Sequence, residues 1–172
     1  MHLLAWDDAP ESVRAGAQVF DLIQQNLAIY FDDLPKRMVE LAEQGVVFRN
    51  ERYSEAVSPD GVRLREIHLA GHDDINNVLL PAIGNAPIRN SGFFGVSPLV
   101  CIIRDPAAEK RCIDTVLGLS MSCHNILEEL EIKATIGLPS GFAAEVSIWT
   151  EARQVLGQVE LVTYQGTAGA DR

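Results

Sequence analysis

Gln25-Asn26-Leu27-Ala28-Ile29-Tyr30-Phe31-Asp32-Asp33-Leu34-Pro35, continuing as Lys36-Arg37-Met38-Val39-Glu40-Leu41-Ala42-Glu43-Gln44-Gly45, reads as a strand, an aspartate stop and a short helix closed by glycine. Leu27, Ile29 and Phe31 fall on one strand face, and Asn26, Ala28 and Tyr30 on the other, because side chains alternate. Asp33 can accept hydrogen bonds from the free N–H groups of the first helical turn, and Pro35 suits that turn because its missing N–H is not needed there. Met38, Leu41 and Ala42 give the helix a narrow apolar stripe. Gly45 fits a left-handed C-terminal cap.

Pro98-Leu99-Val100-Cys101-Ile102-Ile103-Arg104-Asp105-Pro106 opens a second copy, whose helix ends near Gly118. Leu27 lies 72 residues before Leu99, Asp33 lies 72 before Asp105, and Gly45 lies 73 before Gly118. An offset held across strand, stop and helix is the mark of an internal repeat. After the first helix, Val46 to Val57 reads as a strand. Ser58-Pro59-Asp60-Gly61 is a turn, Val62 to Ala70 its return strand, and Asn77 to Leu80 a short last strand. After the second helix, Leu119 to Leu127 reads as a strand and Lys133 to Ile136 as a strand or its lead-in. Phe142 to Thr150 and Gln158 to Tyr164 are the last two strands. Each copy is therefore β-α-β-β-β, and the fold class is α+β: two modules forming a curved mixed half-barrel with helices outside. The boundaries are 1–18 for a leftover or exchanged strand and loop, 19–82 for the first module, 83–95 for a linker, 96–165 for the second module and 166–172 for a disordered tail.

The bulk numbers exclude several classes. The 172 residues are 47% hydrophobic and 22% charged, an ordinary globular composition. A net charge of −10 argues against nucleic acid and against an anionic membrane surface. No apolar run approaches the ~20 residues that span a bilayer. Cys101, Cys112 and Cys123 are odd in number and form no C-x-x-C pair, which implies reduced thiols and a cytoplasmic location.

With these residues in view, the chain resembles the vicinal oxygen chelate superfamily, which includes glyoxalase I, bleomycin resistance proteins, extradiol dioxygenases and methylmalonyl-CoA epimerase. The resemblance covers roughly residues 19–165. It is carried by Leu27 to Leu34 at a module start, by Leu117-Gly118-Leu119 after the second helix, and by His72-Asp73-Asp74-Ile75-Asn76-Asn77-Val78, which is similar to a degraded Asp-Pro-Asp-Gly-Asn turn. Gln158-Val159-Glu160-Leu161 resembles the closing strand. The resemblance implies a cleft between the modules. In metal-binding members, a His, Gln or Glu on each first strand and a Glu near each last strand surround a divalent ion. The matching positions here are Asn26 and Pro98, then about Leu80 and Glu160. Glu160 is the only retained ligand-type position, so no metal is expected. Zn, Ni, Mn or Fe is the cofactor only if the site is built differently.

Strand alternation places Asn26, Tyr30, Pro98, Glu160 and Tyr164 toward the cleft, with Trp149 as either cleft lining or interface. Glu66 and His68 share a strand face and either flank the cleft or form a solvated edge pair. His68 and His72, read as strand residues, stand ~13 Å apart and do not share an ion. Two functions follow from the resemblance. The first is a metal-free module that binds a small, partly apolar organic molecule. The alternative is a metal-dependent lyase, isomerase or extradiol dioxygenase with a rearranged site, in which Glu160 joins His68, Glu66 or another chain's His2. A third possibility is a decaying paralogue with no ligand. An unpaired Leu3-Leu4-Trp6 strand would be a sticky edge, which predicts a homodimer in which this strand pairs or is exchanged.

Overall fold

The computed structural model describes residues 14–57, 63–71, 75–82, 92–127, 136–151, 157–167 and 169. Their elements run β1 (Ile23–Phe31), α1 (Leu34–Glu43), β2 (Ser54–Val57), β3 (Arg63–Ala70), β4 (Asn76–Pro81), β5 (Phe93–Ile102), α2 (Pro106–Leu117), β6 (Ser120–Leu127), β7 (Ala143–Thr150) and β8 (Val159–Gln165). The order is β-α-β-β-β twice, as the repeat predicts. Both helices start in the same way. Asp33 Oδ1 accepts from Lys36 N at 3.1 Å, and Asp105 Oδ1 accepts from Ala108 N at 3.0 Å. These side chains satisfy N–H groups that have no partner within a helix. Gly118, at φ 67°, then turns the chain out of α2 through a left-handed conformation that costs an L side chain.

The strands form one sheet in the order β2-β3-β4-β1-β5-β8-β7-β6. Within each half the first and last strands run parallel, β1 with β4 and β5 with β8. The halves meet where β1 pairs antiparallel with β5. The sheet curls into a half-barrel with both helices on its outer side. Outside the first half, Leu34, Met38 and Leu41 of α1 pack with Ile29, Phe31, Ile67, Leu69 and Leu79. Outside the second half, Ile113 of α2 packs with Trp149, Leu161, Cys101 and Val159. On the inner side of the second half, Val100, Ile102, Ala144, Val146, Val162 and Tyr164 form a third cluster. Val19, Phe20, Leu22, Leu138 and Phe142 cover it, and the rings of Phe20 and Phe142 stack at 6.3 Å.

Two boundaries differ from the sequence reading. β5 begins at Phe93, inside the expected 83–95 linker, because the Phe93 ring packs on Phe31 at 5.8 Å and draws the chain into the sheet early. The expected strand Val46–Val57 shrinks to Ser54–Val57 plus a single bridge from Phe48 to Leu69. The polar run Arg49-Asn50-Glu51-Arg52 breaks the alternation a strand needs. The expected strand Lys133–Ile136 lies outside the described residues except at Ile136. The Leu3-Leu4-Trp6 strand, His2 and His72 lie wholly outside them, as does most of the 166–172 tail.

Candidate functional site

The concave face gathers a row of side chains that cross both halves. Ladder register sets the row. His68 of β3 stands opposite Val78 of β4, Val78 beside Ala28 of β1, and Asn26 opposite Val100 of β5. Val100 stands beside Glu160 of β8, and Glu160 opposite Ile148 of β7. Ala28 and Val100 hold corresponding places in the two halves, so the counterpart of Glu160 in the first half is Val78. The expected position, about Leu80, lies one alternation further on.

Glu160 is the most perturbed acid of this face. Burial against its apolar neighbours, then the charge of Glu66, pushes it up to about 7. Glu66 is thus near enough, from the other half of the sheet, to oppose ionisation of Glu160. Tyr30 lies in the same field. Burial, then the Glu160 charge, pushes its phenol up to about 12, so it remains a hydrogen-bond donor at neutral pH. Beside them runs a polar chain. His68 Nε2 is 3.4 Å from Glu66 Oε1, His68 Nδ1 is 2.6 Å from Asn76 Nδ2, and Asn76 Nδ2 donates to Asn26 Oδ1 at 3.0 Å. Arg49 Nε donates to Asn76 Oδ1 at 3.0 Å.

The structure therefore brings together Asn26, Tyr30, Glu66, His68 and Glu160. Pro98 is buried on the same strand as Val100, two residues away. Two further candidates fall elsewhere. Trp149 is not cleft lining: it sits on the outer side with Ile113 and Leu161, and its Nε1 donates to Ser147 Oγ at 3.0 Å. Its register partner Val159 lies on that same side, one residue from inward-facing Glu160. Tyr164 faces inward but is buried in the cluster that Phe20 and Phe142 roof. Arg49 and Asn76 were not singled out from sequence. Asn76 could have been found, since it shares the alternation of Val78. Arg49 lies in an irregular segment with no period to place it.

A divalent ion of the kind the sequence resemblance implies does not fit this donor set. The four corresponding positions carry Asn26, Val78, Pro98 and Glu160, of which only Glu160 offers a strong donor for a transition metal, where a catalytic site uses about three. Among the described residues no three His, Cys, Asp or Glu side chains converge on a point that could hold an ion.

Comparison with solved structures agrees with this architecture. The chain is similar to methylmalonyl-CoA epimerase from Mycobacterium tuberculosis at 16% identity and a TM-score of 0.51, over 83% of this chain and 89% of that one. The two chains share a fold. Glyoxalase I from Zea mays is similar at 13% identity and a TM-score of 0.56, over 87% of this chain and 45% of the maize chain. No protein-family model matches the sequence, and no characterised protein matches it by sequence alone. Among the described residues no helix is long and apolar enough to cross a membrane.

Proposed function

We propose that the concave face of this vicinal-oxygen-chelate-like chain binds a small, partly apolar organic molecule without a metal, and that Glu160 exchanges a proton with it. The observation that carries this reading is the burial of Glu160 on the concave face, with the Glu66 charge adding to it, which together push Glu160 up to about 7. A group that changes charge near neutrality is suited to both taking and returning a proton. As a carboxylate, Glu160 would take a proton from a carbon or oxygen acid of the ligand. The electron pair of the broken bond would stay on the ligand, and Glu160 would return the proton as a carboxylic acid. Tyr30, still a phenol, can donate a hydrogen bond to a ligand oxygen on which charge gathers. The apolar side chains Val78, Val100 and Ile148 supply the rest of the wall.

Carboxyl NMR of the ligand-free chain tests this directly. Glu160 is expected to titrate near 7, and lower in Glu66→Gln. Titration of Glu160 in the ordinary carboxylate range would overturn the reading. The proposed assembly is a homodimer, supported by Met121 and Ile126, which are half exposed on the terminal strand β6.

A further inference from the structure

Arg49 stands between α1 and β2 and has no part in the proton exchange described above. Its backbone N–H donates to the His68 carbonyl at 2.8 Å, and its Nε donates to Asn76 Oδ1 at 3.0 Å. A guanidinium has no acceptor atom, so the oxygen end of the Asn76 amide must face it. The nitrogen end then faces away, 3.0 Å from Asn26 Oδ1 and 2.6 Å from His68 Nδ1. An amide NH₂ carries two hydrogens and accepts none, so it serves both neighbours and His68 Nδ1 accepts. A neutral imidazole that accepts at Nδ1 carries its hydrogen on Nε2. That nitrogen is 3.4 Å from Glu66 Oε1. The His68 side chain is only 2% exposed, so packing holds the ring in place.

We propose that Arg49, Asn76 and His68 form a positioning relay that fixes His68 as its Nε2–H tautomer and holds the Glu66 carboxylate toward Glu160. No residue of the relay needs to touch a ligand. Arg49 orients Asn76, Asn76 selects the tautomer, and His68 orients Glu66. The purpose of the relay rests on Glu160 being the proton-exchanging group, but its geometry is open to test with no ligand present.

The test is long-range ¹H–¹⁵N NMR of the imidazoles in the full chain at mildly alkaline pH, with His68 assigned by loss of its signals in His68→Gln. The parent protein is expected to show the Nε2–H tautomer. Asn76→Asp presents only acceptors, so His68 is expected to switch to Nδ1–H. Glu66 then loses its donor, and the Glu160 midpoint moves toward the ordinary carboxylate range. Arg49→Met, at an exposed position, frees the Asn76 amide to rotate and is expected to give a mixture of tautomers even if Asn76→Asp does not fold. An Nδ1–H tautomer in the parent, or an unchanged Nε2–H tautomer in both variants, overturns the relay. Tautomers that switch as stated while Glu160 titrates as an ordinary carboxylate uphold the relay and overturn the proton-exchange reading. Fixed tautomers with Glu160 still titrating near 7 do the reverse.

Discussion

Glu160 occupies a place where ionisation is opposed, so its charge weakens the fold. Its folded-state pKa of about 7 lies above the ordinary value of 4.5, so the folded chain holds this proton more tightly than the unfolded chain does. Stability from this group is therefore fully present below about pH 4.5, declines as pH rises, and is lost above about pH 7. Each pKa unit corresponds to about 1.4 kcal/mol. Glu160→Gln, which keeps the shape and removes the charge, should stabilise the chain at alkaline pH by up to roughly 3 kcal/mol and change little in acid. Urea denaturation of both proteins on each side of that window measures this. Equal stabilities at alkaline pH would show that the Glu160 carboxylate is well solvated. The donor set makes a second expectation at this scale. Equilibrium dialysis of the chain against Zn, Ni, Mn and Fe should leave no stoichiometric ion, because Asn26, Val78 and Pro98 cannot complete a site with Glu160. Retention of one ion per chain, lost in Glu160→Ala, would favour the metal-dependent alternative. Residue-scale reading from sequence reached Asn26, Tyr30, Glu66, His68 and Glu160 because period-two alternation alone puts them on faces. It left Trp149 open between cleft lining and interface, because its face depends on its register with Val159, and register is a long-range property that no local pattern carries.

The two helices show how much an element owes to a few local choices. Asp33 and Asp105 hold equivalent positions 72 residues apart and cap their helices with the same bond. Removing either cap by substitution with alanine should cost about 1 kcal/mol. Gly118→Ala places a methyl group in open space at φ 67°, so its cost is purely conformational, about 1–2 kcal/mol. Denaturation midpoints measure all three, and a Gly118→Ala chain as stable as the parent would mean that this turn adopts another conformation. These caps and the apolar stripe of α1 were legible because each acts within a few positions of itself, while the Ser58-Pro59-Asp60-Gly61 turn lies outside the described residues. The strand ends were less legible. Phe93 joins β5 through a ring contact with Phe31, 62 residues earlier in the chain, and nothing near Phe93 announces it. α2 is also tied to the sheet by charge, since Lys110 Nζ and His124 Nε2 both meet Glu145 Oε1, at 3.1 and 3.0 Å. His124, then Lys110, holds the Glu145 carboxyl below its ordinary range. This contribution is present above the ordinary carboxylate pKa and fades as pH falls through the depressed one. It is small, as partly exposed pairs are.

At the scale of the molecule, the antiparallel pairing of β1 with β5 turns two repeats into one continuous sheet, and this creates the concave face on which the charge of Glu66 from one half acts on Glu160 from the other. The repeat offset made the doubling readable from sequence, but the polar chain from Arg49 to Glu66 depends on the order in which four separate segments meet. Among the described residues the same single sheet has two outer strands, β2 and β6. β6 is the longer, with eight residues against four. Its outward-facing Met121 and Ile126 are 51% and 52% exposed. A long edge strand with exposed apolar side chains is an invitation to pair with another chain. For identical chains, a two-fold contact between the same strands closes on itself without further growth. The homodimer is therefore expected to pair through β6. Sedimentation at micromolar concentration should find a dimer, and Met121→Lys with Ile126→Asp should shift it to monomer while leaving the denaturation midpoint of the monomer little changed, since both positions face solvent within one chain. A monomeric parent would remove the homodimer altogether, whereas a dimer that survives both substitutions would place the contact on another surface.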